Sequence, residues 1–227
     1  MKPISEVAAD FDAIASVLAD GSAHETLTPA ERVLLGHVPT HVRRAIDVGC
    51  GDGVITRSLA RRGIEAVGID VSPGMIQLAR ARTDRSLAIE YRQADVMTAD
   101  LPDGVFDLVV SVSMAHHVPL DVIIPRLARL VAPAGTLLVQ DVMTRRGIGQ
   151  LPINLAAIIA TRVRRLVVPS RITSRVTAAY NKHGADEQYL DASSVARAYE
   201  PLLPGARVYR HLEWRYSVVW QSPGVGP

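Results

Sequence analysis

Two histidines, His116 and His117, stand side by side directly after the apolar run FDLVVSV. An imidazole titrates near pH 6.5, so such a pair suits proton transfer close to neutrality. Earlier in the chain, DVGCGDG sets an acid, Asp47, before glycines at 49, 51 and 53. Glycine has no Cβ, so this backbone can turn tightly and let a ligand approach closely. A helix that starts at the turn aims its free N–H groups at that ligand. The spacing is not the GxGxxG of a dinucleotide fingerprint, because Val54 takes the place of its third glycine. A carboxylate ahead of the turn suits a ligand carrying a positive group better than a pyrophosphate. Asp70 and Asp95 close two further apolar stretches.

These residues need elements to position them. The pattern predicts strands at Arg44–Gly49, Glu65–Asp70, Ile89–Asp95, Phe106–Ser113 and Thr136–Val142. Helices are predicted between them: one opened by the glycine turn and closed by Gly63, one opened by Ser72 and Pro73, and one running from Asp121 to Pro133–Gly135. Alternating strands and helices with short connections argue for parallel βαβ units and a sheet covered on both faces. Right-handed crossovers then gather the strand C-terminal ends on one edge, where ligands bind in open α/β sheets. The glycine turn and both histidines fall on that edge.

Residues 1–40 read as a helical cap with a break at Pro29, where Thr28 and Glu31 suit a helix start. Residues 41–142 form the core. After Val142 the rhythm fails, and residues 143–190 read as a helical insertion, a lid or substrate pocket. Within it Leu151, Leu155, Ile158, Ile159, Val163 and Leu166 share a helical stripe that offers a surface for a second copy of the chain. Residues 191–227 read as a last helix, capped by Asp191, and a hairpin of two strands.

Composition narrows the class. The chain has 227 residues, 48% of them hydrophobic, enough for one domain with a sizeable core. A net charge of +2 gives no field that favours nucleic acid, although five arginines gather between Arg162 and Arg175. Those arginines read as a solvated helix face or as a contact for an anionic surface. Cys50 is the sole cysteine, so no internal disulfide or CxxC metal site can form. The acid-bearing N-terminus does not resemble a signal peptide, and no apolar stretch reaches the length of a membrane span. A cytoplasmic protein is expected.

Four segments, in order and at normal spacing, resemble the motifs of the class I S-adenosylmethionine-dependent methyltransferases: DVGCGDG, GIDVSPGMIQLAR, QADVMTADLP and FDLVVSVSMAHHV. The resemblance covers about residues 42–142. It implies a doubly wound, mostly parallel seven-stranded sheet with a terminal antiparallel hairpin. It also implies S-adenosylmethionine as cofactor and S-adenosylhomocysteine as product. Cofactor contacts are expected at Asp47, Gly49, Cys50, Gly51, Asp70, Val71, Met75, Asp95, Val96, Val112 and Ser113. Asp47 would orient the cationic amino acid end. Asp70, at a strand end, would accept the two ribose hydroxyls. Asp95 would meet the adenine amino group. Met75 is open between adenine contact and core filler, and Cys50 reads as a backbone contact rather than a thiol nucleophile.

The acceptor side is less constrained. Methyl transfer from a sulfonium is an in-line displacement in which the protein supplies alignment and a dry site. His117 and His116 are candidate bases or pocket walls. Phe11, Tyr180, His183 and Tyr189, with Glu187 nearby, are candidate substrate contacts or a solvated helix end. VSMA (Val112–Ala115) departs from the NPPY-like tetrapeptide of amide and nucleobase methylation, which counts against those acceptors. No metal site is expected, because adjacent His116 and His117 would not close one alone. The expected function is methylation of a small molecule at oxygen, nitrogen or carbon, in bacterial specialised metabolism. The alternatives are an RNA or protein methyltransferase, a nicotinamide-dependent oxidoreductase and a non-catalytic cofactor-binding protein.

Overall fold

The computed structural model describes residues 2–19, 26–144, 178–180, 183, 189–211 and 214–224. Two helices lead in, α1 (Ile4–Ala19) and α2 (Pro29–Leu35). The predicted start of α2 is a full capping box: Thr28 Oγ1 accepts from the Glu31 N–H, and Glu31 accepts from the Thr28 N–H. The core follows as β1 (Arg44–Val48), α3 (Val54–Ala60), β2 (Glu65–Asp70), α4 (Pro73–Ala81), β3 (Ile89–Gln93), β4 (Phe106–Val112), a short 3-10 turn (Ala115–His117), α5 (Leu120–Leu130) and β5 (Val131–Val142). A last short helix, α6 (Val195–Tyr199), precedes β6 (Arg207–His211) and β7 (Arg215–Gln221).

The seven strands form one sheet in the order β3-β2-β1-β4-β5-β7-β6. β1 to β5 run parallel, while β7 lies antiparallel between β5 and β6. The near-continuous apolar strands are explained by burial on both faces. Ile46, Val48, Val109, Leu137 and Val139 pack toward Ile123, Leu127 and Leu130 of α5 and Val195 and Tyr199 of α6. The alternate residues Ala45, Leu108, Val110 and Leu138 pack toward Leu34 and Leu35 of α2 and Ile55 and Leu59 of α3.

The largest boundary difference from expectation is at the start of β5. α5 ends at Leu130, and β5 already begins at Val131 rather than Thr136. Val131 pairs with Phe106, and a register shift follows before Leu108 meets Thr136. The proline and glycine of VAPAG are taken up in that irregularity, as strands commonly do with such residues.

The chain order reverses between β1 and β4, which opens a crevice at their C-terminal ends. The stretch after β5 begins there. The ends of that stretch meet: Met143 bridges to Leu190, and the Thr144 N–H bonds the Leu190 carbonyl. The expected helix with the apolar stripe, the dimer surface on it and the arginine group of 162–175 lie outside the described residues, as does Glu187. Among the described residues, no helix is long and apolar enough to cross a membrane.

Candidate active site

The turn after β1 carries three glycines in the left-handed region, at φ of 75°, 52° and 83° for Gly49, Gly51 and Gly53. A side chain at Gly49 would collide with Met114, whose Cγ lies 2.6 Å from the place a Cβ would take. A side chain at Gly51 would meet only open space, so this residue faces the crevice. The turn is fastened from outside. Arg57 donates to the Asp52 carbonyl at 2.6 Å, and Arg82 pairs with the Asp52 carboxylate at 2.5 Å.

Asp70 closes β2 at the crevice. Its Oδ2 accepts from the Gly51 N–H and its Oδ1 from the Ser72 N–H, both at 2.9 Å. Burial pushes its carboxyl pKa up, and the backbone bonds pull against that rise. Asp47 lies deeper, beneath the turn. It is 1% exposed and its Oδ2 accepts from Thr56 Oγ1 at 2.6 Å, on the α3 face of the sheet. Burial pushes this carboxyl up to about 7. The Cys50 side chain turns into a cluster with Ile76, Ala79 and Tyr91, leaving its backbone N–H to bond Ile69. Met75 packs on Ile14, Ala15 and Leu18 of α1.

A cleft of about 300 Å³ lies beside Asp70, between α1 and the ends of β2 and β3. Val71, Gln93, Ala94 and Asp95 form one wall, and Ile4, Ser5 and Ala8 of α1 form the other. Asp95 also accepts from the Met97 N–H at 2.9 Å. The side chain of Val96 turns into the core, and its carbonyl accepts from Arg126. α1 is held over this edge by Asp12, whose Oδ1 accepts from Ser72 Oγ at 2.6 Å and from the Gly74 N–H at 2.9 Å.

At the end of β4, Val112 packs at the margin of the α3-side core. Ser113 takes φ 56°, an uncommon conformation for a residue with a side chain. Arg215 donates to its Oγ at 2.6 Å, and its N–H bonds the Gln140 carbonyl at 2.7 Å. This kink turns the chain into the short helical turn that carries both histidines.

Asp141, fully buried on β5, grips His116 twice: Oδ2 accepts from the backbone N–H at 3.0 Å, and Oδ1 lies 2.7 Å from Nδ1. The bond to Nδ1 fixes the ring and aims Nε2 elsewhere. His117 is 8% exposed, with its ring centroid 3.9 Å from that of His116. Burial, and then the neighbouring His116 and His183, push its pKa down to about 3, so it is neutral across the working pH range. His183, from the insertion, lies 5.0 Å from His117 between ring centroids. Its Nδ1 lies 2.9 Å from Asp10 on α1. Phe11 packs against both His117 and His183, at 5.8 and 4.7 Å, and Tyr189 lies 5.2 Å from His116. Phe11, His183 and Tyr189 thus join the histidine pair, whereas Tyr180 is exposed.

Asp141, Asp10, Met114 and Arg215 were not singled out in the sequence. Asp141 left one signal, a lone acid inside the apolar run TLLVQDV. Asp10 left none, because an acid on a helix is ordinarily solvated.

A family model described as a methyltransferase domain matches residues 46–139. An uncharacterised methyltransferase of Mycobacterium tuberculosis is 34% identical over 190 residues, 82% of this chain and 90% of its own length. A ubiquinone biosynthesis O-methyltransferase of Methylococcus capsulatus is 38% identical over 103 residues, 44% of each chain. The fold is shared with Haemonchus contortus phosphoethanolamine N-methyltransferase 2, solved with phosphomonomethylethanolamine and S-adenosylhomocysteine. That likeness has a TM-score of 0.62 at 14% identity, over 85% of this chain and 52% of that one. The motifs, the sheet order and a relative matched over most of both lengths agree, and the chain belongs to the class I S-adenosylmethionine-dependent methyltransferases.

Proposed function

We propose that this enzyme methylates a small acceptor bearing an ionisable O–H or N–H group, which meets the face made by His116, His117 and His183. The carrying observation is the carboxylate-oriented histidine cluster, walled by Phe11 and Tyr189, beside the strand ends that hold the cofactor turn. Transfer breaks the bond between methyl carbon and sulfur, and the electron pair stays on sulfur. The acceptor atom bonds the methyl group, and its proton leaves at the histidine face. S-adenosylhomocysteine and the methylated acceptor are the products. In this reading Asp70 receives the ribose hydroxyls, and Val71 and Asp95 border adenine in the cleft under α1. Gly51 leaves room for the methionine half, while Gly49 makes way for the Met114 side chain.

The test has two stages. Thermal unfolding with excess S-adenosylmethionine, S-adenosylhomocysteine or NAD comes first. At about a hundred times its dissociation constant a ligand adds roughly 2.7 kcal/mol, which is several degrees for a chain of this size. S-adenosylmethionine and S-adenosylhomocysteine are expected to raise the midpoint and NAD to leave it. Radiolabelled methyl transfer to phenols, catechols, amines and indoles is then compared with transfer to RNA and protein fractions. His116→Asn is expected to lower kcat about 100-fold or more while leaving the S-adenosylhomocysteine shift in place. Label confined to RNA or protein would overturn the small-acceptor reading.

A further inference from the structure

We infer that His116, His117 and His183 form a binding site for a divalent transition metal of the Zn²⁺ type, with an open coordination position facing the acceptor. The inference deepens the proposed function and rests on it for the acceptor's presence at this face.

One ring nitrogen from each of the three histidines lies within 4.8 Å of the other two. Tetrahedral ligation at about 2.0–2.1 Å sets such nitrogens about 3.3 Å apart. A bound ion would draw the three nitrogens closer by small shifts of the side chains. The orientation of the rings is the second observation. His116 spends Nδ1 on Asp141, and His183 spends Nδ1 on Asp10. A carboxylate on the far nitrogen is the usual outer partner of a metal-bound histidine, where it fixes the ring and raises ligand basicity. The remaining nitrogen of His183, Nε2, is buried and makes no hydrogen bond among the described residues. A buried polar atom in that state calls for a partner.

Three imidazoles suit zinc and its neighbours, and a site with three protein ligands keeps a position for substrate. An acceptor R–OH that fills it binds through oxygen, and its proton passes to solvent. The bound R–O⁻ attacks the methyl carbon, and the C–S pair returns to sulfur, giving the methyl ether and S-adenosylhomocysteine. The ion changes no oxidation state. It activates the oxygen by lowering its pKa, the service a bound metal gives to water elsewhere. An aromatic or enolic hydroxyl is the acceptor class this favours.

The full-length chain, stripped with a chelator and dialysed, is titrated with Co²⁺ and read by its visible ligand-field absorption, with Zn²⁺ as competitor. One equivalent is expected to produce four- or five-coordinate bands that Zn²⁺ abolishes. His183→Ala and the bulkier His117→Gln should lose them. Asp141→Asn should weaken Co²⁺ about 10–100-fold. The S-adenosylhomocysteine shift, measured on every variant, reports folding and the cofactor site independently. No saturable band in the parent, or a band retained in His183→Ala, overturns the metal site. If the stripped protein still methylates a small acceptor at full rate, the site fails as an activating centre and the methyl-transfer reading stands. If the metal binds as described and no small acceptor is methylated, the proposed function fails instead.

Discussion

Two aspartates a short distance apart are used in opposite ways. Asp70 offers its oxygens to backbone N–H groups at the crevice, and lone pairs remain for a ligand's hydroxyls. Asp70→Asn replaces one acceptor oxygen with a donor. Bonds to a charged group contribute roughly 1.5–3 kcal/mol, so calorimetry is expected to show S-adenosylhomocysteine binding weakened by on the order of 100-fold. Asp47 is buried against Thr56, and its pKa stands at about 7. In the unfolded chain the same carboxyl titrates near 3.9. Between those values the native state holds more protons than the unfolded one, so stability is greatest below about pH 4 and falls as pH rises toward 7. Urea midpoints of Asp47→Asn across that window should lack this contribution to the slope. An unchanged slope would mean that Asp47 is ionised throughout.

At the scale of elements, α1 forms one wall of the cleft beside Asp70. Its Ile4, Ser5 and Ala8 wall the cleft, and its Ile14 and Leu18 cover Met75. Asp12 ties it to the first turn of α4 through two hydrogen bonds. Asp12→Ala leaves the apolar contacts and removes the tie, at a cost of roughly 1–3 kcal/mol. Hydrogen exchange is expected to quicken in α1 and not in β1 or β4. S-adenosylhomocysteine affinity should fall along with it. Equal quickening throughout the sheet would show that Asp12 holds the whole fold rather than one helix.

Across the whole molecule, the N-terminal segment and the insertion after β5 meet at Asp10. Its Oδ2 lies 3.0 Å from Lys2 Nζ and 2.9 Å from His183 Nδ1, and Lys2 also donates to the His183 carbonyl. The N-terminal segment and the insertion are thereby fastened to each other over the sheet edge. Asp10→Ala frees the His183 ring without touching the glycine turn. The acceptor KM is expected to rise about tenfold, the equivalent of roughly 1.4 kcal/mol, with S-adenosylhomocysteine affinity unchanged. Loss of both affinities would show that the hub shapes the cofactor site as well.

The sequence alone determined the strand rhythm, the glycine turn and the family. Those depend on local spacing: β2 has the predicted bounds, and Thr28 and Ser72 cap the helices they were expected to open. A residue's neighbour in sequence decides such features, and one chain displays it. The roles of Asp47, Cys50 and Met75 were not legible in the same way, because a residue at a strand end or helix face can turn its side chain toward a ligand or into the core. In this structure the Asp47 side chain meets Thr56, that of Cys50 joins Ile76, Ala79 and Tyr91, and that of Met75 packs on α1. The histidine cluster depended on tertiary structure entirely. His116 and His117 are adjacent, but His183 and the carboxylates of Asp10 and Asp141 reach them only after the sheet has formed and the segment after β5 has returned over it. Chemistry assembled from four separate segments has no period and no motif, so it exists only in the folded chain.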